Sequence, residues 1–327
     1  MIPEWRPAWA PAIMLFAIAG LGEPHNSQSP PERKYVGSDR CVQCHRASRA
    51  GLVQGWDQSA HRRTMTVLSA ETPLPARIQW PSSLTREDAQ AIVGRTDREC
   101  VFITRDFRVI ASGNWQTEEV SAPHDVIGVP SQPVDASRQC LGCHSTGYSV
   151  SRKTFAEPGI GCEACHGPGS RHVDSPGSEG TIINPAKLSP ERGQMVCGQC
   201  HSLGKDASGN FPFPVMGKGD AARPYVPGED LSLAFVDAQP KRVRPGWEYS
   251  LLVQSSRPFA DQRCTDCHDP HGGRAAQLFM LLDVTSETCL RCHGQGDARL
   301  AFENHWGLGD VVKRPCWECH RPSVHSH

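Results

Sequence analysis

Seven copies of one pentapeptide dominate this chain: CVQCH from Cys41, CLGCH from Cys140, CEACH from Cys162, CGQCH from Cys197, CTDCH from Cys264, CLRCH from Cys289 and CWECH from Cys316. With 15 Cys and 15 His in 327 residues, random placement yields only about 0.03 occurrences of C-x-x-C-H. Residues i, i+3 and i+4 share one face of a helical turn, so this spacing aims two thiols and an imidazole at a single object. A porphyrin meets that demand. Its two vinyl groups form thioethers with the cysteines, and the next residue supplies the proximal nitrogen to iron. The expected attachment residues are Cys41, Cys44, Cys140, Cys143, Cys162, Cys165, Cys197, Cys200, Cys264, Cys267, Cys289, Cys292, Cys316 and Cys319. The expected proximal iron ligands are His45, His144, His166, His201, His268, His293 and His320, for seven covalently held haem c groups.

Two other readings of the cysteines are weaker. The second and third motifs, eighteen residues apart, have the spacing of a zinc ribbon, and a cysteine-rich exported chain could hold a disulfide framework. Neither chemistry needs a His directly after every second Cys. The fifteenth cysteine, Cys100 in ECVFIT, lies outside the pattern and reads as a buried thiol on a strand.

Sixteen uncharged residues run from Pro7 to Gly22, with Arg6 before them and small residues at Ala17, Ala19, Gly20 and Gly22. This is the pattern of a secretory leader over 1–22, so the expected location is the periplasm or cell exterior. Pro11 shortens the apolar run below the roughly 20 residues of a membrane span. Left uncleaved, the segment would instead tether the chain to a membrane. A formal net charge of −1 gives no broad basic field, so no nucleic-acid partner is expected.

Thirty Gly and 27 Pro call for many loops and short helices. The expected fold is mainly α with abundant loop, short helices being organised around covalently bound haems, with a small β insertion near 90–135. The strand signals are QAIVG, then CVFIT and FRVIA on either side of Arg105–Asp106, which read as a hairpin. Ser189-Pro190-Glu191 reads as a capped helix start leading into the fourth motif, and Ser286 as a second. Helices this short do not fold alone, so porphyrin faces must supply much of their packing. The motifs divide the mature chain into a first haem segment, 23–135, a cluster of three, 136–202, a Gly/Pro-rich extended spacer, 203–260, and a second cluster of three, 261–327.

Each iron has a sixth position to fill. Outside the motifs the histidines are His25, His61, His124, His172, His271, His305, His325 and His327. Discounting His25 at the mature terminus, just after the leader, and counting the two terminal histidines as one site, leaves six candidates for seven irons: His61, His124, His172, His271, His305 and His325. Ligands on opposite faces of one haem need Cα atoms about 12–13 Å apart, whereas three residues span at most about 11 Å. His271 therefore cannot cap the haem carried by His268 and must reach a neighbour, and His172 after His166 reads the same way. Met65, Met195, Met216 and Met280 read as packing residues.

Seven haems in a compact domain of about 300 residues place evenly spread irons on the order of 20 Å apart. A porphyrin is about half that width. Neighbouring macrocycle edges must therefore come within tunnelling range.

The motif surroundings resemble the periplasmic multihaem cytochromes of the cytochrome c-554 and doubled-CXXCH type: YVGSDRCVQCH at 35–45, DQSAH at 57–61, GCEACHGPGSRHV at 161–173, CTDCHDPHGG at 264–273 and CWECHRP at 316–322. The resemblance implies distal ligand roles for His61, His172 and His271, stacked haem pairs, and kinship with enzymes handling nitrogen and sulfur oxyanions. It breaks where Arg321 stands in place of a family Met, and in haem number, the namesake having four. No motif replaces its His by Lys, the mark of a pentahaem nitrite reductase. The leading expectation is an exported heptahaem cytochrome relaying single electrons between redox partner proteins through mostly bis-His haems. The alternative is a reductase of a small nitrogen or sulfur oxyanion at one incompletely ligated haem.

Overall fold

The computed structural model describes residues 33–74, 78, 80–94, 100–111, 134–237, 248–250, 262–266 and 268–272. Their elements run α1 (Ser38–Ser48), α2 (Ala50–Gln58), β1 (Met65–Val67), β2 (Ala89–Gly94), β3 (Cys100–Thr104), β4 (Val109–Ala111), α3 (Ala136–Gln139), α4 (Leu141–His144), β5 (Ser145–Thr146) and β6 (Glu157–Pro158). They continue with α5 (Cys162–His166), α6 (Ser170–Asp174), α7 (Pro190–Gly198), β7 (Gly204–Asp206), β8 (Val215–Met216), β9 (Arg223–Pro224) and β10 (Phe235–Asp237). Short 3₁₀ turns lie at Pro185–Lys187, Gly219–Ala221, Leu231–Leu233 and Cys264–Asp266. The loop-rich character and short helices agree with the sequence; the β component is larger than expected.

That component begins at Met65 rather than near residue 90. Strands β1 to β4 form a four-stranded antiparallel meander in sequence order. The hairpin of β3 and β4 pairs Val101 with Ala111 and Ile103 with Val109 across the Arg105–Asp106 turn. Side chains alternate between two buried faces. On one, Met65, Ala91, Val93 and Ile103 pack against Ala136, Leu141, Phe213 and Val215, with Cys140 and Cys143 at the edge. On the other, Ile92, Cys100 and Phe102 are closed over by Leu68, Leu84 and Trp80. Cys100 is thus a buried strand residue, as its apolar flanks predict. The sheet is the wall against which the second motif is built.

The spacer after residue 203 is more folded than its Gly and Pro content suggests. Antiparallel pairs β7–β10 and β8–β9 condense it. Met195, Tyr225, Leu231 and Phe235 then form a cluster that anchors it to α7. The turn after β7 is held by Asp206, whose carboxylate accepts N–H bonds from Ser208 (3.0 Å), Asn210 (2.7 Å) and Phe211 (2.8 Å). Burial pushes this carboxyl up, but those bonds and the Ser208 hydroxyl outweigh it and hold it below the usual range. Helix α7 starts as its sequence dictates: Ser189 caps it by accepting from Arg192 N–H, with Pro190 in the first turn. Met65 and Met195 are buried packing residues.

Candidate haem sites

The first five motifs each open or close a helical turn. Motif one lies within α1, motif two on α4, motif three is α5, motif four begins in the last turn of α7 and runs past its end, and motif five starts in the 3₁₀ turn at Cys264. In motifs two, four and five the motif His N–H donates to the carbonyl of the first cysteine: His144 to Cys140 at 3.1 Å, His201 to Cys197 at 3.0 Å and His268 to Cys264 at 2.9 Å. That closure puts the imidazole and the first sulfur on one face, as the spacing demands. Gly142, between the cysteines of motif two, leaves room for the Phe213 ring, whose atoms lie 2.2–2.4 Å from where a Cβ would stand.

Histidines meet across motifs. His45 faces His172 with ring centroids 6.2 Å apart and planes 15° from parallel. His166 faces His271 at 6.3 Å and 21°. His201 faces His61 at 6.1 Å and 73°. Each pair joins a motif His to one outside any motif, and each non-motif partner follows a different motif in the chain. Two imidazoles bound to one metal through bonds of about 2 Å have centroids about 6 Å apart, so the spacing fits an intervening iron.

At His166, His172, His201 and His61 the ring has a hydrogen-bond partner of the kind that metal-bound histidines use. His166 Nδ1–H donates to the Ile183 carbonyl at 2.8 Å. A carbonyl only accepts, so this bond fixes the tautomer and leaves Nε2 for iron. The Thr181 hydroxyl donates to Ser178 O, so its oxygen is the acceptor for His172 Nδ1 at 3.4 Å. His201 Nδ1 donates to the Glu248 carboxylate at 3.1 Å. The His61 ring donates to the Pro270 carbonyl, and Asp269 lies 3.8 Å from His271 Nδ1.

Burial, reinforced by the nearby His201, pushes His61 down to about 4. Burial also lowers His166 and His271. All three rings are therefore held as the neutral donors a metal needs. His201 is the exception: burial opposes its charge, but the Glu248 carboxylate prevails and raises it.

The segment after motif five sets two of these rings. Helix α2 and residues 269–272 meet backbone to backbone, with a Cβ on Gly55 falling 2.4 Å from His271 O and one on Gly272 2.5 Å from Gly55 O. That contact carries His271 to His166 and brings Pro270 O to His61. The turn bearing His61 is tied from the other side by Ile160 N–H to His61 O at 3.0 Å, and by Trp56 Nε1–H to Ile160 O at 3.0 Å.

The thiols also cluster between motifs: six free cysteines form three pairs, and Cys41 neighbours Cys162, Cys143 neighbours Cys200 and Cys197 neighbours Cys264 closely enough for titration within each pair to shift. Motif three therefore abuts motif one, and motif four abuts both two and five. Burial pushes the Cys140 and Cys165 thiols up to about 12. Sequence spacing announced none of the supporting groups Glu248, Thr181 and Ile183, since each belongs to a stretch without a motif. Cys267, motifs six and seven (Cys289, Cys292, His293, Cys316, Cys319, His320), and His124, His305 and His325 lie outside the described residues.

Two family profiles match: the doubled CXXCH motif over residues 257–298 and cytochrome c554 and c-prime over residues 109–167. The chain is similar to the multihaem cytochrome MtrA of Shewanella baltica, 26% identical over 181 residues, covering 48% of this chain and 52% of that protein. It thus spans about half the length of this relative. Its fold is similar to that of the outer cell wall cytochrome OcwA, with a TM-score of 0.52 at 20% identity over 79% of this chain and 67% of the other. The undecahaem cytochrome from the S-layer of Carboxydothermus ferrireducens aligns with a TM-score of 0.49 at 18% identity, over 90% of this chain and 51% of that one.

Proposed function

We propose, from the premise that the chain is a multihaem c-type cytochrome, that it is an exported relay carrying seven haem c groups and passing single electrons between redox partner proteins. The supporting observation is the set of three cross-motif imidazole pairs at 6.1–6.3 Å. On this reading His45 and His172, His166 and His271, and His201 and His61 are axial pairs. His124, His305 and His325 are the candidate ligands for three of the four remaining irons, and a Met or the second terminal histidine, His327, would close the last.

Bound haem c supplies one-electron chemistry between Fe(III) and Fe(II). The protein's own residues do the rest. Packing of one motif against another, which sets Cys41 beside Cys162 and Cys143 beside Cys200, brings the attachment points close together. Ile183, Thr181, Glu248 and Pro270 fix ring orientation and the tautomer that leaves Nε2 for the metal. Paired nitrogen ligands on both faces favour low potentials and leave no position for substrate.

The apolar stretch 1–22 supports export, and the haem-bearing segments would be 23–135, 136–202 and 261–327, separated by the spacer 203–260. No helix among the described residues is long and apolar enough to cross a membrane. Mass spectrometry of the matured chain, with electron paramagnetic resonance of the oxidised state and carbon monoxide addition to the reduced state, tests the reading. The expected result is a mass gain of seven haems, low-spin signals throughout and no carbonyl complex. A high-spin haem that binds carbon monoxide and turns over nitrite, hydroxylamine or tetrathionate would replace the relay with the reductase.

A further inference from the structure

Glu163 occupies the first variable position of the third motif and is 1% exposed. Its side chain does not turn toward its own helix. Oε1 and Oε2 accept from Val36 N–H at 2.9 and 3.0 Å, Oε2 also accepts from Gly37 N–H at 2.8 Å, and Oε1 accepts from Gly169 N–H at 2.7 Å. These donors come from two other elements. Val36 and Gly37 immediately precede α1, which carries Cys41, Cys44 and His45. Gly169 immediately precedes α6, which carries His172. Lys34 and Ser170 stitch the same two segments together, Lys34 N–H to Ser170 Oγ at 2.9 Å and Ser170 N–H to Lys34 O at 3.1 Å.

The neighbouring carboxylate behaves differently. Glu157 accepts from Ser38 N–H and from the Ser38 hydroxyl, and the latter's oxygen accepts Cys162 N–H at 2.9 Å. That chain joins α1 to α5 but does not reach α6. Glu163 is therefore the group that touches the lead-in of both helices bearing the imidazoles of the 6.2 Å pair.

We propose that Glu163 is a positioning residue for the His45–His172 axial pair, so that a side chain in the attachment motif of the third haem sets the ligation of the first. An ionised carboxylate only accepts hydrogen bonds, and here it collects donors from two segments that approach from different directions. A carboxamide of the same shape would present an N–H to one of them and push that segment away. Displacing α6 or α1 separates the two rings, and the sixth position of one iron opens. The inference rests on the axial-pair reading above.

The test uses the full chain, matured with its haems and checked for haem content by mass, in three variants. His172→Ala defines the signature of losing this ligand: a high-spin ferric signal and a carbon monoxide complex, each equivalent to one haem. Glu163→Gln is expected to reproduce that signature at the same haem while the others stay low-spin. Glu163→Asp keeps the charge but is one methylene shorter, and is expected to give a fraction of the same signal. If His172→Ala gives the signature and both Glu163 variants remain fully low-spin, or lose signal evenly over all haems, the inference fails and the axial pairing stands. If His172→Ala itself leaves every haem low-spin, the pairing fails and the inference with it. Should the Gln variant not mature, the Asp variant decides by the same criterion.

Discussion

If His201 holds an iron as proposed, Glu248 is the residue that most directly tunes it. Its carboxylate accepts a hydrogen bond from His201 Nδ1–H at 3.1 Å, which lends that ring imidazolate character and would favour the ferric state of an iron bound to it. Replacing Glu248 by Gln keeps a hydrogen bond and removes the charge. The reduction potential of one haem is expected to rise by about 60 mV, a tenfold change in its one-electron equilibrium, with the other haems unmoved in a spectroelectrochemical titration. Asp206 offers a second residue-scale expectation. Its carboxyl is held below the usual range in the fold, so its stabilisation is complete above the unfolded value of about 4 and is lost as pH falls through the folded value. Asp206→Ala leaves the N–H groups of Ser208, Asn210 and Phe211 without their acceptor and should cost about 1–3 kcal/mol. Melting curves of the wild type and variant should differ at neutral pH and converge in acid; parallel curves at every pH would show that the ionised carboxylate contributes nothing.

Among the elements, α2 carries an internal control. Gly51 and Gly55 are one turn apart, yet a methyl on Gly51 meets nothing within 4 Å, whereas one on Gly55 strikes His271 O at 2.4 Å. Gly51→Ala should stabilise the helix by roughly 0.5–1 kcal/mol. Gly55→Ala should force residues 269–272 away and disturb His61 and His271 together, giving two altered haems in the oxidised spectrum. One altered haem, or none, would mean that the backbone contact does not set these rings.

This element also marks the boundary of what the sequence could say. His61, His172 and His271 were legible as ligand candidates because they sit in short distinctive blocks, and the described residues bring each opposite a motif His. Their pairing was not legible, since it depends on contacts such as Gly55 with Gly272, which link blocks far apart in the chain. Strands β2 to β4 were readable from alternation, but β1 was not. Its three residues are shorter than any periodic signal, and pairing with β2 rather than propensity makes them a strand. The two strand pairs of the spacer escaped notice for the same reason.

At the scale of the whole molecule, the buried apolar side chains of the described residues fall into three modest clusters, and the longest α-helix among those residues has 11 residues. Helices of this length are marginal without packing partners. The chain produced without haem attachment is therefore expected to lose most far-UV helical signal and to unfold without a cooperative transition, while the matured chain melts cooperatively. A haem-free chain with native circular dichroism would show that polypeptide packing alone suffices. The sheet between Met65 and Ala111, sandwiched by two of the clusters, has an apolar core of its own.

If the three imidazole pairs hold irons as proposed, they have a consequence for how the molecule is made. His45 waits for His172, His61 for His201 and His166 for His271, so each first-synthesised ring precedes its partner by about a hundred residues or more. A chain emerging from its N-terminus would carry its earliest cofactors half-coordinated until downstream segments arrive. Biogenesis then has a built-in sequence of completion, in which a truncated product is left with exposed, reactive iron.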